Sequence, residues 1–260
     1  MSTPTLPTPV LHTTGAGRAV LLLHPLGVDR SFWDGVVPAL DGFQVLTYDF
    51  PGHGATPVPG QPYTIDDLTA QAVALLAESG HAQVDVVGVS LGGLVAQQLA
   101  ACYPDLVRRL VIVDAVAVYP PALKQQWRDR AASTPAEGLE PLLGPTLALW
   151  FTADGLAQGR PAVEGVRRVF LAGDPRGYAR ACVALEQVDL TGVVGRIRAL
   201  TLVVCGDDDA PPFTAAASVL AEALPGGRLV WLSPARHAGV LEQPGQFAQA
   251  LVGFLREEDE

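Results

Sequence analysis

The chain has 260 residues, 49% of which are hydrophobic, and its formal net charge at pH 7 is −10. This size and composition allow one sizeable core, so we expect a single domain with an insertion. The acidic balance and the lack of a basic stripe argue against a nucleic-acid-binding protein and disfavour binding to anionic membranes. No run of 18 or more apolar residues occurs, so the sequence predicts no membrane span.

The amino-terminal stretch and the cysteines indicate a cellular compartment. Residues 1–10, MSTPTLPTPV, contain no basic region followed by an apolar run, so we expect no signal peptide. Cys102, Cys182 and Cys205 are odd in number and widely spaced, which predicts neither a disulfide framework nor a zinc site. We expect each of them to be a small buried core residue. A reducing cytoplasm fits these features best.

Six short apolar runs predict buried β-strands. Each run is nearly continuous in Val, Leu and Ile rather than alternating, which is typical of strands covered on both faces in a parallel sheet. Helical spacing between the runs, at residues 65–79 and 91–103, predicts helices on both faces of that sheet. The expected fold class is therefore α/β, with a mostly parallel central sheet flanked by helices. The six predicted strands are 19–23, 45–48, 84–89, 110–113, 201–205 and 229–232.

One interval interrupts this alternation of strands and helices. Residues 115–188 contain no parallel-type strand and are rich in Ala, Arg, Gln and Leu, with Pro and Gly between the helical stretches. We interpret this interval as a helical cap inserted into a core that consists of residues 1–114 and 189–260.

The segment VDVVGVSLGGLV, residues 84–95, contains the pattern Gly88-x-Ser90-x-Gly92. A strand is predicted before Ser90 and a helix after it, so Ser90 lies at a sharp strand-to-helix turn that exposes its hydroxyl. Glycine at both flanking positions removes Cβ atoms that would collide as the helix folds back. The free N–H groups at the helix start favour negative charge above the serine. These features predict that Ser90 is a nucleophile.

A nucleophilic serine needs a base, and the base needs an acid that orients it. His237 follows the last predicted strand, and residues 207–209, three consecutive aspartates, follow the strand before it. The carboxyl ends of strands are where sheets of this type place their sites. We therefore expect His237 to be the base and one of the three aspartates to be the acid.

An oxyanion hole needs two backbone donors that converge on one point. Leu91, directly after Ser90, supplies one N–H, and the loop after the first predicted strand supplies the other. Pro25 in that loop has no N–H, so Leu26 is the expected second donor. We interpret His24 as a buried structural residue, and likewise His53 in its Gly-Pro turn.

These residues together resemble the α/β-hydrolase superfamily, over residues 19–247. The matching elements are HPLG at 24–27, DFPGHG at 49–54, the turn at 88–92, GDDD at 206–209, and His237 with EQP at 242–244. Within that superfamily the chain looks most like the 3-oxoadipate enol-lactonases, in PLGVDRSFW (25–33), LWFTADG (149–155) and DPRGYARACVALEQVDL (174–190). The resemblance implies the α/β-hydrolase fold with a helical cap.

The resemblance also implies a catalytic triad and shows two departures. The triad is Ser90, Asp209 and His237, and Asp114, after the strand at 110–113, is a rarer alternative location for the acid. The enol-lactonases usually carry Arg where this chain has Leu149 and Pro51. A substrate with a free carboxylate favours a cationic partner, ideally Arg.

The cap offers possible replacements for the two missing arginines, and an aromatic pair that bears on the substrate. The aromatic pair, Trp150 and Phe151, is interpreted as lining the substrate pocket or as part of the core of the cap, since pockets are largely apolar and aromatic. We favour Trp150 as the substrate-binding residue. Arginines of the cap either replace the missing cations or form a solvated helix face. They are Arg160, Arg167, Arg168, Arg176 and Arg180.

The resulting hypothesis is a serine hydrolase of a small lactone or carboxylic ester, which works through an acyl-enzyme and needs no metal or organic cofactor. Activity should fall as His237 protonates, near pH 6–7 for an ordinary imidazole. Three alternatives remain: a broad-specificity carboxylesterase or aryl esterase, a cofactor-free perhydrolase, and a non-catalytic binding protein of the same fold. The third is disfavoured because no triad member is missing.

Overall fold

A computed structural model describes residues 6–257. Seven strands form one sheet in the order β1-β3-β2-β4-β5-β6-β7. β1 is antiparallel to β3, and the other neighbouring pairs are parallel. The strands are β1 (His12–Gly15), β2 (Arg18–Leu23), β3 (Phe43–Thr47), β4 (Val84–Val89), β5 (Val107–Val113), β6 (Leu200–Gly206) and β7 (Arg228–Leu232). The prediction of an α/β fold with a mostly parallel sheet is confirmed.

All six predicted strands are present, and two differences have clear physical causes. β1 was not predicted because its four residues, HTTG, are mostly exposed at the sheet edge and lack an apolar run. β5 begins three residues earlier than predicted because Arg108 and Arg109 interrupt the apolar pattern. Arg108 is nevertheless held at the sheet, with its Nε 2.8 Å from Oδ1 of the buried Asp85 on β4.

Helices cover the sheet, and two of them match the predicted spans to within one residue. These are α1 (Ile65–Glu78), which begins with a capping box between Thr64 and Asp67, and α2 (Leu91–Cys102). Nearly every residue of α2 is buried, so the helix that follows Ser90 is fixed in the core. After β6, the helices are α8 (Pro211–Ala223), α9 (Gly239–Glu242) and α10 (Pro244–Arg256).

Five helices lie between β5 and β6, and we call them together the cap segment. They are α3 (Pro121–Glu137), α4 (Glu140–Trp150), α5 (Ala153–Ala157), α6 (Pro161–Ala172) and α7 (Pro175–Gln187). The chain enters and leaves this segment through one junction, where Val118 and Asp189 form an antiparallel bridge. The Leu190 N–H also donates to the Ala117 carbonyl at 2.9 Å. The division into a core (1–114 and 189–260) and a cap (115–188) remains a prediction.

The cysteines are only partly as expected. All three are free thiols, and Cys182 and Cys205 are buried. Cys102 is exposed because it is the last residue of α2, so the prediction that it packs in the core is wrong. Within residues 6–257, no helix combines the length and apolar character needed to cross a membrane.

Candidate active site

Ser90 lies between β4 and α2 in a backbone conformation that non-glycine residues rarely adopt. Its φ is 53° and its ψ is −110°. Its N–H donates to the Val113 carbonyl at 2.9 Å, which ties the turn to β5. The residue is 7% exposed and lies at the carboxyl edge of the sheet. The surrounding core therefore holds a strained turn with a serine at its tip.

The two glycines of the turn are required by close backbone approaches. A Cβ at Gly88 would collide with the carbonyl oxygen of Gly92, where α2 folds back on β4, as the sequence predicts. A Cβ at Gly92 would instead collide with the carbonyl oxygen of Leu23 on the neighbouring strand β2. Gly92 thus allows the helix to pass the adjacent strand as well as its own.

The structure pairs His237 with one of the three consecutive aspartates. His237 Nδ1 lies 2.8 Å from Asp209 Oδ2, and His237 is 4% exposed. The other Asp209 oxygen accepts from the Ala210 N–H at 2.6 Å. Asp207 instead accepts from the Ala235 N–H, and the exposed Asp208 faces Arg236. Only Asp209 of the three therefore orients the imidazole.

The environment of His237 favours its charged form. Burial opposes protonation, but the Asp209 carboxylate acts through both its charge and its hydrogen bond, and the net effect raises the pKa of His237 above 6.5. With Nδ1 directed at Asp209, Nε2 is the nitrogen that is free to exchange a proton.

Because a general base must be neutral, activity is expected to fall as the pH drops through the raised pKa of His237. The acid limb of the kcat/KM profile should therefore have its midpoint above 6.5, rather than at the value of an ordinary imidazole. The measurement is a pH series on an ester that does not itself titrate, with circular dichroism at each pH as the control for folding. A midpoint near pH 5, or full activity at pH 4, would contradict this role.

Asp114 is a second carboxyl beside the His237–Asp209 pair. It directly follows β5 with φ +44°, and its Oδ1 accepts from the Gly206 N–H at 2.9 Å. Burial, and then the charge of Asp209, raise the pKa of Asp114 to about 8. We therefore expect Asp114 to be protonated at neutral pH. When it is ionised, its charge adds to that of Asp209 in raising the pKa of His237.

Asp114, Cys205 and Asp209 place their ligand atoms within 4.8 Å of one another, a spacing that suits a metal ion. The chemistry does not fit, because metal ligands must be deprotonated. Asp209 uses its oxygens on His237 and Ala210, and burial raises the pKa of both Asp114 and the Cys205 thiol. We assign no metal to this cluster.

The expected oxyanion loop follows β2. Leu91 is the first residue of α2, so its N–H has no acceptor within the helix. Leu26 lies in the loop after β2, and His24 beside it holds that loop. His24 Nε2 accepts from the Phe50 N–H at 2.9 Å, and Nδ1 lies 2.8 Å from the Pro25 carbonyl. Both ring nitrogens are therefore used by backbone, which supports a structural role for His24.

His53 lies near His24 and is similarly enclosed. The two rings are 5.4 Å apart, and burial, followed by the neighbouring His24, lowers the pKa of His53 to about 3. A histidine with so low a pKa stays neutral at physiological pH. This agrees with the interpretation of His53 as structural.

Trp150 lies beside the imidazole and also anchors the cap segment. Its ring centroid is 6.3 Å from that of His237, and its carbonyl accepts from the Ala238 N–H at 2.8 Å. The buried Glu242 adds a second link, because its Oε1 accepts from the N–H and the hydroxyl of Thr152. The sequence motif contained Glu242 but gave no sign of this link between α4 and the histidine loop.

Three aromatic residues that the sequence did not mark, Tyr119, Trp127 and Phe213, form a group beside Ser90 and His237. Tyr119 is 2% exposed, and its hydroxyl lies close enough to the Ser90 side chain to interact with it. The Tyr119 ring contacts Trp127 at 5.6 Å and Phe213 at 6.4 Å between centroids. Phe213 in turn stacks 4.4 Å from His237. No motif marks these residues, since they meet only when α3 and α8 fold over the sheet.

Most of the cap arginines proposed from the sequence have partners on the surface. Arg167 pairs with Glu164 and Arg176 with Asp174. Arg160 reaches the Glu242 carbonyl at 3.4 Å, and Arg180 reaches the Gly60 carbonyl at 3.3 Å. Arg168 is exposed and lines a cavity of about 580 Å³ that extends to Gly27 in the loop after β2.

Arg130 was not among those arginines, yet it contacts Trp127, one of the aromatic residues described above. Its guanidinium donates to the Tyr178 hydroxyl at 3.0 Å and stacks 5.0 Å from the Trp127 ring. It is half-buried, and within residues 6–257 no carboxylate forms an ion pair with it. Trp127 Nε1 is also buried without an acceptor in that part of the chain.

A parallel sheet with a serine at a strained strand-to-helix turn, and a His–Asp pair at the ends of the following strands, is the arrangement of the α/β hydrolases. A model of the alpha/beta hydrolase family matches residues 20–250. The chain belongs to this family, and we therefore describe it as a hydrolase.

Individual relatives cover nearly the whole chain. The 3-oxoadipate enol-lactonase 2 of Acinetobacter baylyi is 30% identical over 92% of this chain and 88% of its own length. A pimeloyl-[acyl-carrier protein] methyl ester esterase of Chromobacterium violaceum is 32% identical over 94% of this chain and 97% of its own. The crystal structure of the enol-lactonase from Burkholderia xenovorans has a TM-score of 0.90 at 33% identity, covering 97% and 98% of the two chains.

Proposed function

We propose that the protein hydrolyses a small lactone or carboxylic ester through an acyl-enzyme on Ser90. The observation that carries this proposal is the 2.8 Å contact between His237 and Asp209 at the sheet edge that bears the strained Ser90 turn. A nucleophile, a base and an orienting acid are the parts that acyl transfer requires. We also propose, as the sequence suggests, that the substrate is a small molecule and that the protein works in the reducing cytoplasm.

The first half of the reaction acylates Ser90. His237 Nε2 takes the Ser90 proton as the hydroxyl attacks the carbonyl, and Asp209 stabilises the imidazolium that forms. The N–H groups of Leu26 and Leu91 are the proposed donors to the oxyanion. His237 then returns the proton to the departing oxygen, which in a lactone stays attached to the acyl group. In the second half, His237 activates a water that hydrolyses the acyl-enzyme.

For the substrate, we propose a carboxylate-bearing lactone like that of the enol-lactonases. The support is the likeness to two enol-lactonases and the position of Arg130. Its guanidinium has no carboxylate partner within the described part of the chain, and such a cation is suited to an anionic substrate group. Arg130 would then replace the arginines that the family usually has at the positions of Leu149 and Pro51.

Arg130→Leu is expected to lower kcat/KM for 3-oxoadipate enol-lactone by about 10- to 100-fold, chiefly through KM, because a charged hydrogen bond contributes about 1.5–3 kcal/mol. Neutral lactones and p-nitrophenyl esters should change less than about threefold. The measurement is a spectrophotometric assay of all three substrate types. Arg167→Leu is the matched control, since that arginine is exposed and paired with Glu164.

A broad-specificity carboxylesterase is the second candidate. The apolar Leu149 and Pro51 favour it, because they remove two positive charges from the region of the site. If the wild type turns over neutral esters well and does not turn over the enol-lactone, the carboxylesterase is correct and the enol-lactonase proposal is wrong. Equal losses on all substrates in Arg130→Leu would show that Arg130 is structural.

A further inference from the structure

The Tyr119 phenol is a buried donor without an acceptor, next to the candidate nucleophile. It interacts with the Ser90 side chain, yet forms no hydrogen bond of regular geometry within residues 6–257. A buried hydroxyl without a partner costs about 1–3 kcal/mol, so such groups usually have a reason to persist. One such reason is that the hydroxyl gains its acceptor only when a substrate is bound.

Ring contacts link Tyr119 to His237 through Phe213. Tyr119 contacts Phe213, and Phe213 stacks on His237. The proposed oxyanion donors, Leu26 and Leu91, come from the loop after β2 and from the start of α2. The departing oxygen must lie within reach of His237, because it receives its proton from there. The link through Phe213 therefore favours the departing oxygen, rather than the oxyanion, as the acceptor for the Tyr119 hydroxyl.

The backbone around Tyr119 holds the phenol in place. The preceding residue, Val118, is paired with Asp189 at the junction of the cap segment, and Pro120 and Pro121 follow at the start of α3. Two consecutive prolines restrict the backbone, and Trp127 packs on the ring from the first turns of α3. A donor held in this way loses little freedom when the substrate binds, which is what preorganised catalytic groups require.

We propose that the Tyr119 hydroxyl donates a hydrogen bond to the departing oxygen of the substrate as the acyl–oxygen bond breaks. This inference rests on the proposed function. The Ser90 oxygen forms the new bond to the carbonyl carbon, and the electron pair of the broken bond goes to the departing oxygen. The proton on that oxygen comes from His237, and Tyr119 keeps its own. Burial raises the pKa of Tyr119, so the phenol remains a neutral donor throughout the working pH range.

The test is Tyr119→Phe, assayed on acetate esters with departing groups of increasing basicity: p-nitrophenyl, phenyl and ethyl. For a reaction through an acyl-enzyme, kcat/KM covers substrate binding and acylation and excludes deacylation, and all three esters form the same acetyl-enzyme. The loss is expected to be about 10-fold for the ethyl ester and less than about twofold for the p-nitrophenyl ester, because a weakly basic phenolate needs little help from a donor. Tyr103→Phe, an exposed tyrosine at the far end of α2, should show no such pattern.

Within one variant, the ratio of the kcat/KM values for two esters does not depend on the fraction of enzyme that is folded. Equal losses on all three esters, or no loss, would overturn the role of Tyr119 even if hydrolysis depends on Ser90. Ester hydrolysis that persists in Ser90→Ala would instead overturn the proposed function, and the role of Tyr119 with it. A larger loss for p-nitrophenyl acetate than for ethyl acetate would also be contrary to the proposal.

Discussion

Ser90→Ala is expected to lower kcat by about 10⁴- to 10⁶-fold on every ester or lactone that the wild type cleaves, because the Ser90 hydroxyl is the group that forms the proposed acyl-enzyme. The measurement is steady-state hydrolysis combined with labelling by a fluorophosphonate, which should mark the wild type and not the variant. An inert wild-type serine, or labelling that survives the substitution, would contradict the assignment of Ser90 as the nucleophile.

Ser90→Gly is the matched control for this prediction, since it also removes the hydroxyl but relieves the backbone. Ser90 has φ 53° and ψ −110°, a region that glycine adopts at little cost and that strains alanine as it strains serine. Both variants should be inactive, while Ser90→Gly should have a free energy of unfolding about 1–2 kcal/mol higher than Ser90→Ala. Urea denaturation gives both values. Equal stabilities would show that the turn is not strained.

The strands of the sheet could be predicted because the residues that identify each of them are adjacent in the chain. Each buried strand is a continuous apolar run, and the turn around Ser90 needs only the strand, the glycines and the helix that are adjacent in the chain. β1 could not be found in this way, since its pairing with β3 depends on backbone hydrogen bonds and its side chains are mostly exposed. The same limit applies to any short polar edge strand.

The residues in and directly before the cap segment that approach the candidate site could not be predicted from local patterns. Tyr119, Trp127 and Arg130 have ordinary helical or loop surroundings in the sequence, and their neighbours are distant in the chain. Trp127 meets Tyr119, and Arg130 meets Tyr178 across the packing of α3 on α7. The motifs therefore predict the candidate reaction centre, while the contacts of the cap segment depend on packing between residues that are distant in the chain.

Asp209→Asn is expected to lower kcat by about 10³- to 10⁴-fold, because the amide no longer stabilises the His237 imidazolium and favours the wrong tautomer. Asp114→Asn is its matched control: it lies in the same buried cluster and is the alternative location for the acid. We expect Asp114→Asn to retain activity within about tenfold, since burial favours the uncharged form of Asp114 and its Oδ1 accepts from the Gly206 N–H, while His237 is paired with Asp209. Strong loss in Asp114→Asn with activity retained in Asp209→Asn would assign the acid to Asp114 instead.

Asp114→Asn should also change stability in a direction that depends on pH. An aspartate with a pKa of 3.8 in the unfolded chain and about 8 in the folded protein is protonated in both states below pH 4. Between pH 4 and 8 the unfolded chain releases this proton while the folded protein keeps it, so the wild type loses stability as the pH rises. Asparagine avoids that loss, retains an Oδ1 for the Gly206 N–H and tolerates the positive φ. Its advantage in the free energy of unfolding should therefore be near zero at pH 4 and on the order of a few kcal/mol at pH 8.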